Sequence, residues 1–206
     1  MNARISKRHA GLALTSATLL TITLIGILSP SADAQLPSPS TGATSVSDPL
    51  LPRKVVVALS VVNRFFPEIT REASTGQNLT AVGNPRATRS VIYTNSDNSK
   101  KVTITVDRYG TSSDALSAYQ EAVQKSKVVP GFKTLSAANL GQNAFIGTVT
   151  QGEETHVGLG ALHGALIVGV TLAGYDPTPD KIANLTSLTR EEESAAKAAL
   201  DANPQK

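Results

Sequence analysis

The sequence predicts an α+β fold: an antiparallel sheet, made of a hairpin plus a three-stranded meander, with helices on one face. Three observations predict it. Residues 101–107 alternate Val102, Ile104 and Val106 against Thr103, Thr105 and Asp107, the period of a half-buried strand. Three apolar runs, near 143–150, 154–162 and 165–173, are joined only by Gly152-Glu153 and His163-Gly164. Strands joined by turns that short must run antiparallel. Apolar residues at helical spacing bracket these runs on both sides.

In chain order, residues 53–66 place Val55, Leu59, Val62 and Phe66 on one helical stripe, although their Val content suits a strand equally, and Pro67 ends the run because its ring clashes with a continued helix. Residues 74–88 read as loop. RSVIYTN and KKVTITVDRY then flank the turn formers Ser96-Asp97-Asn98-Ser99, a hairpin signature. A helix follows from Thr111 to Lys127, with a hydroxyl cap, Asp114 in its positive first turn, and Leu116, Tyr119 and Val123 as its stripe. Pro130-Gly131 stops it. After the meander, Thr178 caps a helix with Pro179 at its first position. Ile182, Leu185 and Leu188 follow at helical spacing. Thr189 with Glu192 then matches a capping box, which predicts a second, Ala-rich helix to about Leu200.

Ahead of this single domain, 51–206, lie two other segments. Arg4, Lys7 and Arg8 precede an uncharged apolar run from Ala10 to Leu28, then Ser29-Pro30 and Ala32-Asp33-Ala34. That is the order of a secretory signal peptide, with cleavage expected after Ala34. The mature chain is therefore expected to be periplasmic or secreted, touching a membrane only if the leader stays uncleaved. Residues 35–50 are rich in Pro, Ser and Thr and bury too little to repay ordering, which predicts a flexible tether.

Composition excludes several functions. Of 19 basic and 16 acidic side chains, three and one fall in the leader, so the remainder carries +1 and offers no electrostatic case for nucleic acid. With no Cys, disulfides, iron–sulfur clusters, thiol catalysis and Cys-ligated zinc are excluded. No metal or cofactor is expected. Gly158, Gly160 and Gly164 lack dinucleotide spacing and lead into the strand-like ALIVGVTL, whereas that fingerprint must open a helix. His156 and His163 sit seven steps apart on one extended strand, about 23 Å, too far to share a metal. Asn78 and Asn184 begin glycosylation sequons, and Arg86 and Arg89 flank a loop able to meet an anion.

One surface stands out. With two-residue turns, Gln151 pairs with Glu154 and Leu162 with Ala165. Gly147, Gly158 and Gly169 then align across three strands. Phe145 and Ile167 line one side of this row, and Val149, His156 and Thr171 the other. Glycine inside a strand costs about 0.5–1 kcal/mol relative to Ala, so the row asks for a reason. It is a place where a helix crosses, a local bend of the sheet, or an open groove for a ligand.

Three functional classes follow. The expected one is an exported non-enzymatic binding or accessory module for a small apolar ligand or a protein partner. The alternatives are a small exported hydrolase using His156 and a structural envelope protein.

Overall fold

A computed structural model describes residues 51–79, 85–136 and 143–201. The expected leader and tether lie outside these residues. Among the described residues, seven antiparallel strands form one open sheet: β1 Arg71–Leu79, β2 Ala87–Thr94, β3 Lys101–Arg108, β4 Lys133–Thr134, β5 Ala144–Gln151, β6 Glu154–His163 and β7 Leu166–Ala173. Their spatial order is β1-β2-β3-β7-β6-β5-β4. The helices are α1 Leu59–Phe65, α2 Ser112–Lys127 and α3 Pro179–Asp201, with a 3-10 turn at Arg53–Val55. The α+β class and antiparallel sheet are as expected. Among the described residues, no helix is long and apolar enough to cross a membrane.

Strand alternation decides where the core sits. Val91, Tyr93, Val102, Ile104, Val106, Val157, Leu159, Val168, Val170 and Leu172 all turn to one face. There they meet the 3-10 turn, α1 and α3 through Val55, Val62, Phe66, Leu185, Leu188 and Ala196. Phase reverses for Ile167, which faces the other side of the sheet. It packs in a smaller cluster with Tyr109 and with Ala115 and Tyr119 of α2.

Several expectations need correction. The segment 74–88, read as loop, contains most of β1 and the start of β2. It lacks large alternating apolar residues because β1 is an edge strand exposed on both sides, held mainly by its backbone pairing with β2. The helix expected over 53–66 is interrupted. Val56 to Ala58 is extended between the 3-10 turn and α1, since the Val57 N–H is drawn to Glu192 Oε2 at 2.9 Å instead of into a helix. Leu116 is not on the buried stripe of α2; it is 42% exposed, and Ala115 packs in its place. Its Thr111 cap is as expected, the hydroxyl accepting the Asp114 N–H at 3.1 Å.

A further correction concerns the C-terminus. α3 is one continuous helix, so Thr189 and Glu192 are not a capping box. Both are buried mid-helix, with the Thr189 hydroxyl donating to the Leu185 carbonyl. The spacing of a cap and its partner is also the spacing of two residues on one buried helix face, and packing chose the latter. Asn184, offered as a sequon, uses its side-chain N–H to bind the Phe65 carbonyl at 2.9 Å. Arg89 is no surface anion site: it is buried and donates to the Leu51 carbonyl and to Gln77.

Candidate functional site: the small-residue face of the sheet

The first meander turn has the expected register, Gln151 opposite Glu154 and Gly147 opposite Gly158. The second does not. His163 pairs with Leu166, so the turn is Gly164-Ala165, and Gly158 faces Thr171 while Gly160 faces Gly169. The reason lies in the backbone. Gly164 takes φ +60° at the first turn position, as Gly152 does at +61° in the preceding turn, and glycine adopts that conformation without steric penalty. The Leu162–Ala165 pairing and the three-glycine line are therefore corrected to two staggered pairs. Because the slip is two residues, every expected residue keeps its face.

The resulting lattice runs across the sheet in rows. One row is Gly147, Gly158, Thr171, Thr103, Ile92 and Ser74. Beside it run Phe145, Gly160, Gly169, Thr105, Ser90 and Gly76. Val149, His156, Ala173 and Lys101 bound them on one side, Leu162, Ile167, Asp107 and Thr88 on the other. The middle of this face is thus mostly glycine and hydroxyl, with Ile92 a large side chain within it and further bulk at its margins.

Two of those margins are built by α2 and the turn after it. α2 covers Ile167. Past Pro130-Gly131, Phe132 turns back onto β5, where it stacks on Phe145 with ring centroids 5.7 Å apart. A Cβ at Gly147 would lie 2.1 Å from the Phe132 ring and 3.2 Å from the Lys133 carbonyl. Gly147 is therefore needed for packing. Replacing it with Ala must displace Phe132 and is expected to cost about 1–3 kcal/mol by urea unfolding. The same change in a Phe132→Ala background should cost clearly less, a coupling that a double-mutant cycle measures.

Elsewhere the face is mixed: Gly158, Gly160 and Thr105 are buried, and partial exposure begins further along the rows. Thr103 on β3, Gly169 and Thr171 on β7, and Ser90 and Ile92 on β2 are all partly exposed although their strands are interior to the sheet. His156 is also partly exposed. Its Nε2 lies 3.6 Å from Glu154 Oε2, two residues away on the same strand. The Thr148 hydroxyl donates to the His156 carbonyl, and Thr150 pairs with Thr155. No group of three or more His, Asp or Glu among the described residues is placed to hold a metal.

Sequence reasoning placed Asp107 on the polar side of a half-buried strand, but Asp107 is only 6% exposed. Burial pushes its carboxyl up to about 6, opposed by the Thr88 hydroxyl that donates to it at 2.5 Å. The alternation marked its face correctly. It carried no sign that this end of the face is covered. Phe132 was also missed; its one signal was an aromatic directly after a Pro-Gly turn.

No protein-family model matches the chain, and no curated protein matches it in sequence. Among solved structures it is similar to the extracellular domain of PknH from Mycobacterium tuberculosis. The TM-score is 0.51 at 12% identity, over 68% of this chain and 93% of that one. A GTP binding regulator from Thermotoga maritima is a weaker match, with TM-score 0.36 and 8% identity over 66% of this chain and 89% of that one. At such identities the PknH likeness concerns the fold alone.

Proposed function

We propose that the chain is an exported, non-enzymatic binding module that takes a small, largely apolar ligand on the glycine and hydroxyl face of its sheet. The observation that carries this reading is the partial exposure of Thr103, Gly169 and Thr171 on interior strands, beside the aromatic wall of Phe145 and Phe132. A shallow apolar site with a few hydrogen-bonding groups is the usual chemistry of small-molecule recognition. Ile92 and Phe145 offer contact area, and Thr103, Thr171 and Ser90 offer hydrogen bonds. Export rests on the leader pattern of residues 1–34, and it is supported by the occurrence of this fold in an extracellular domain.

The test uses the chain from Gln35 onward and the apolar dye 1-anilinonaphthalene-8-sulfonate. Saturable dye fluorescence is expected with the folded wild type. Thr171→Arg, which lays a long side chain over the partly exposed stretch around Thr103 and Gly169, should weaken that binding at least fivefold while leaving the melting temperature nearly unchanged. Equal dye binding by both proteins would place the ligand elsewhere. Mass spectrometry of the exported form checks the leader, with Gln35 the expected first residue.

A further inference from the structure

Glu192 lies in the middle of α3, on the side of the sheet that carries α1 and α3, and has no solvent exposure. Its Oε2 accepts the Val57 N–H at 2.9 Å, while its Oε1 is buried without a partner. Val57 sits in the extended link between the 3-10 turn and α1, and its carbonyl accepts the Tyr93 hydroxyl at 2.5 Å. The two backbone groups of one residue therefore tie the N-terminal segment down. One is held by a phenol whose ionisation burial pushes further up. The other is held by a carboxyl group.

We propose that Glu192 is a proton-operated latch, which holds the segment Leu51–Phe66 against α3 and the sheet when protonated and loosens it when ionised. An ionised carboxylate needs several donors or a paired cation to be stable away from water. Here it has one neutral donor. From the 3-10 turn, Arg53 faces it, but the Arg53 guanidinium is engaged by the Val56 carbonyl, Glu72 and Tyr93. From β2 the facing group is Tyr93. On α3 itself, Glu191 pairs with Arg64 of α1, and Glu193 senses His163 and Arg190. β6 and β7 present Val157, Leu159 and Val170 on this face.

The direction follows from these contacts. Burial pushes the Glu192 carboxyl up to about 7, opposed by the Val57 N–H and by Arg53. The folded chain thus holds this proton more tightly than an unfolded one. The closed latch is favoured in acid, and its advantage is lost as pH rises from the ordinary glutamate value through about 7. Opening would uncover Val55, Val62 and Phe66 on the segment and Leu185 and Leu188 on α3. It does not involve the glycine face, which lies on the other side of the sheet.

Hydrogen exchange, expressed as protection relative to the intrinsic rate at each pH, tests the latch in the chain from Gln35 onward. Between pH 5.5 and 8.5 the amides of Val57, Val62 and Phe66 are expected to lose at least tenfold in protection, and those of β3 and β7 much less. Glu192→Gln keeps an acceptor for Val57 and cannot ionise, so its protection should not change with pH. Unchanged protection in the wild type, an equal loss in Glu192→Gln, or a loss spread evenly over every element would each overturn the proposal. Should the variant not fold, carbon-13 titration of the wild-type Glu192 carboxyl decides: an inflection at the ordinary glutamate value overturns it, and one near neutrality upholds it.

Discussion

The melting temperature of the folded domain is expected to rise by roughly 10 °C when the pH is lowered from 8 to 5. Two buried carboxyls set the sign. Asp107 is pushed up from 3.8 to about 6, and Glu192 from 4.5 to about 7. In both cases the folded state binds the proton more tightly than the unfolded chain. Their contribution is therefore largest in acid and is lost as pH rises through the folded values. At about 1.4 kcal/mol per pH unit, the stretch from pH 5 upward involves about 3 kcal/mol at Glu192 and about 1 at Asp107. A domain of this size shifts by about 2–4 °C per kcal/mol. Glu68, Glu72 and Asp97 work in the opposite direction, since their contacts hold them below the ordinary carboxylate range. Their contribution disappears only in stronger acid, which places the optimum near pH 5. Calorimetry across pH 4 to 8 checks the profile. Glu192→Gln should remove most of the slope above pH 6, and Asp107→Asn part of the slope below it. A flat wild-type curve between 5 and 8 would show that neither acid is desolvated as described.

Strand order and burial also explain which parts of the fold were legible. The meander was readable because Gly152 and Gly164 punctuate runs whose large apolar residues keep one phase. The face of each glycine followed from that phase alone. The exact pairing did not, because His163-Gly164 and Gly164-Ala165 are equally short turns, and only the positive φ at Gly164 selects between them. β1 left no trace in the pattern, since an edge strand exposed on both sides needs no apolar alternation. The third helical segment was misdivided because Thr189 and Glu192 carry the residue types of a cap. What places them inside one helix is a contact 135 residues away in the chain, Val57 to Glu192. For the candidate site, local pattern marked the face. It could not show the Phe132 ring folding over Gly147 or the burial of Asp107 at the margin, because both depend on where α2 and its following turn land.

Gly174→Ala is expected to be among the most destabilising single-atom additions in the domain, at about 3 kcal/mol or more, and two other glycines make the controls. Gly174 follows β7 with φ +77°, and a Cβ there would sit 2.0 Å from the Ser99 carbonyl oxygen. The left-handed conformation alone costs a non-glycine residue about 1–2 kcal/mol. The clash adds to it, because neither partner gives way easily. Ser99 is held in the β2–β3 turn, where its own N–H donates to Asp97 Oδ1 and the next N–H, that of Lys100, donates to Asn95 Oδ1. Gly174 donates to the Thr155 carbonyl at 3.2 Å and precedes Tyr175, whose buried ring meets Phe66 edge-on at 5.4 Å. Moving either side by the ångström or more required must loosen the hairpin turn or the Tyr175 packing. Gly152 shares the positive φ, at +61°, but a Cβ there meets nothing within 4 Å. Gly152→Ala should therefore cost only the conformational part, about 1–2 kcal/mol. Gly76, on β1, has open space and no positive φ; Gly76→Ala should be neutral or slightly stabilising, because it reduces the freedom of the unfolded chain. Urea unfolding of the three variants under one set of conditions is expected to rank them Gly174, Gly152, Gly76 in decreasing cost. A Gly174→Ala protein no less stable than Gly152→Ala would mean that the β2–β3 turn does not press on the end of β7 as described.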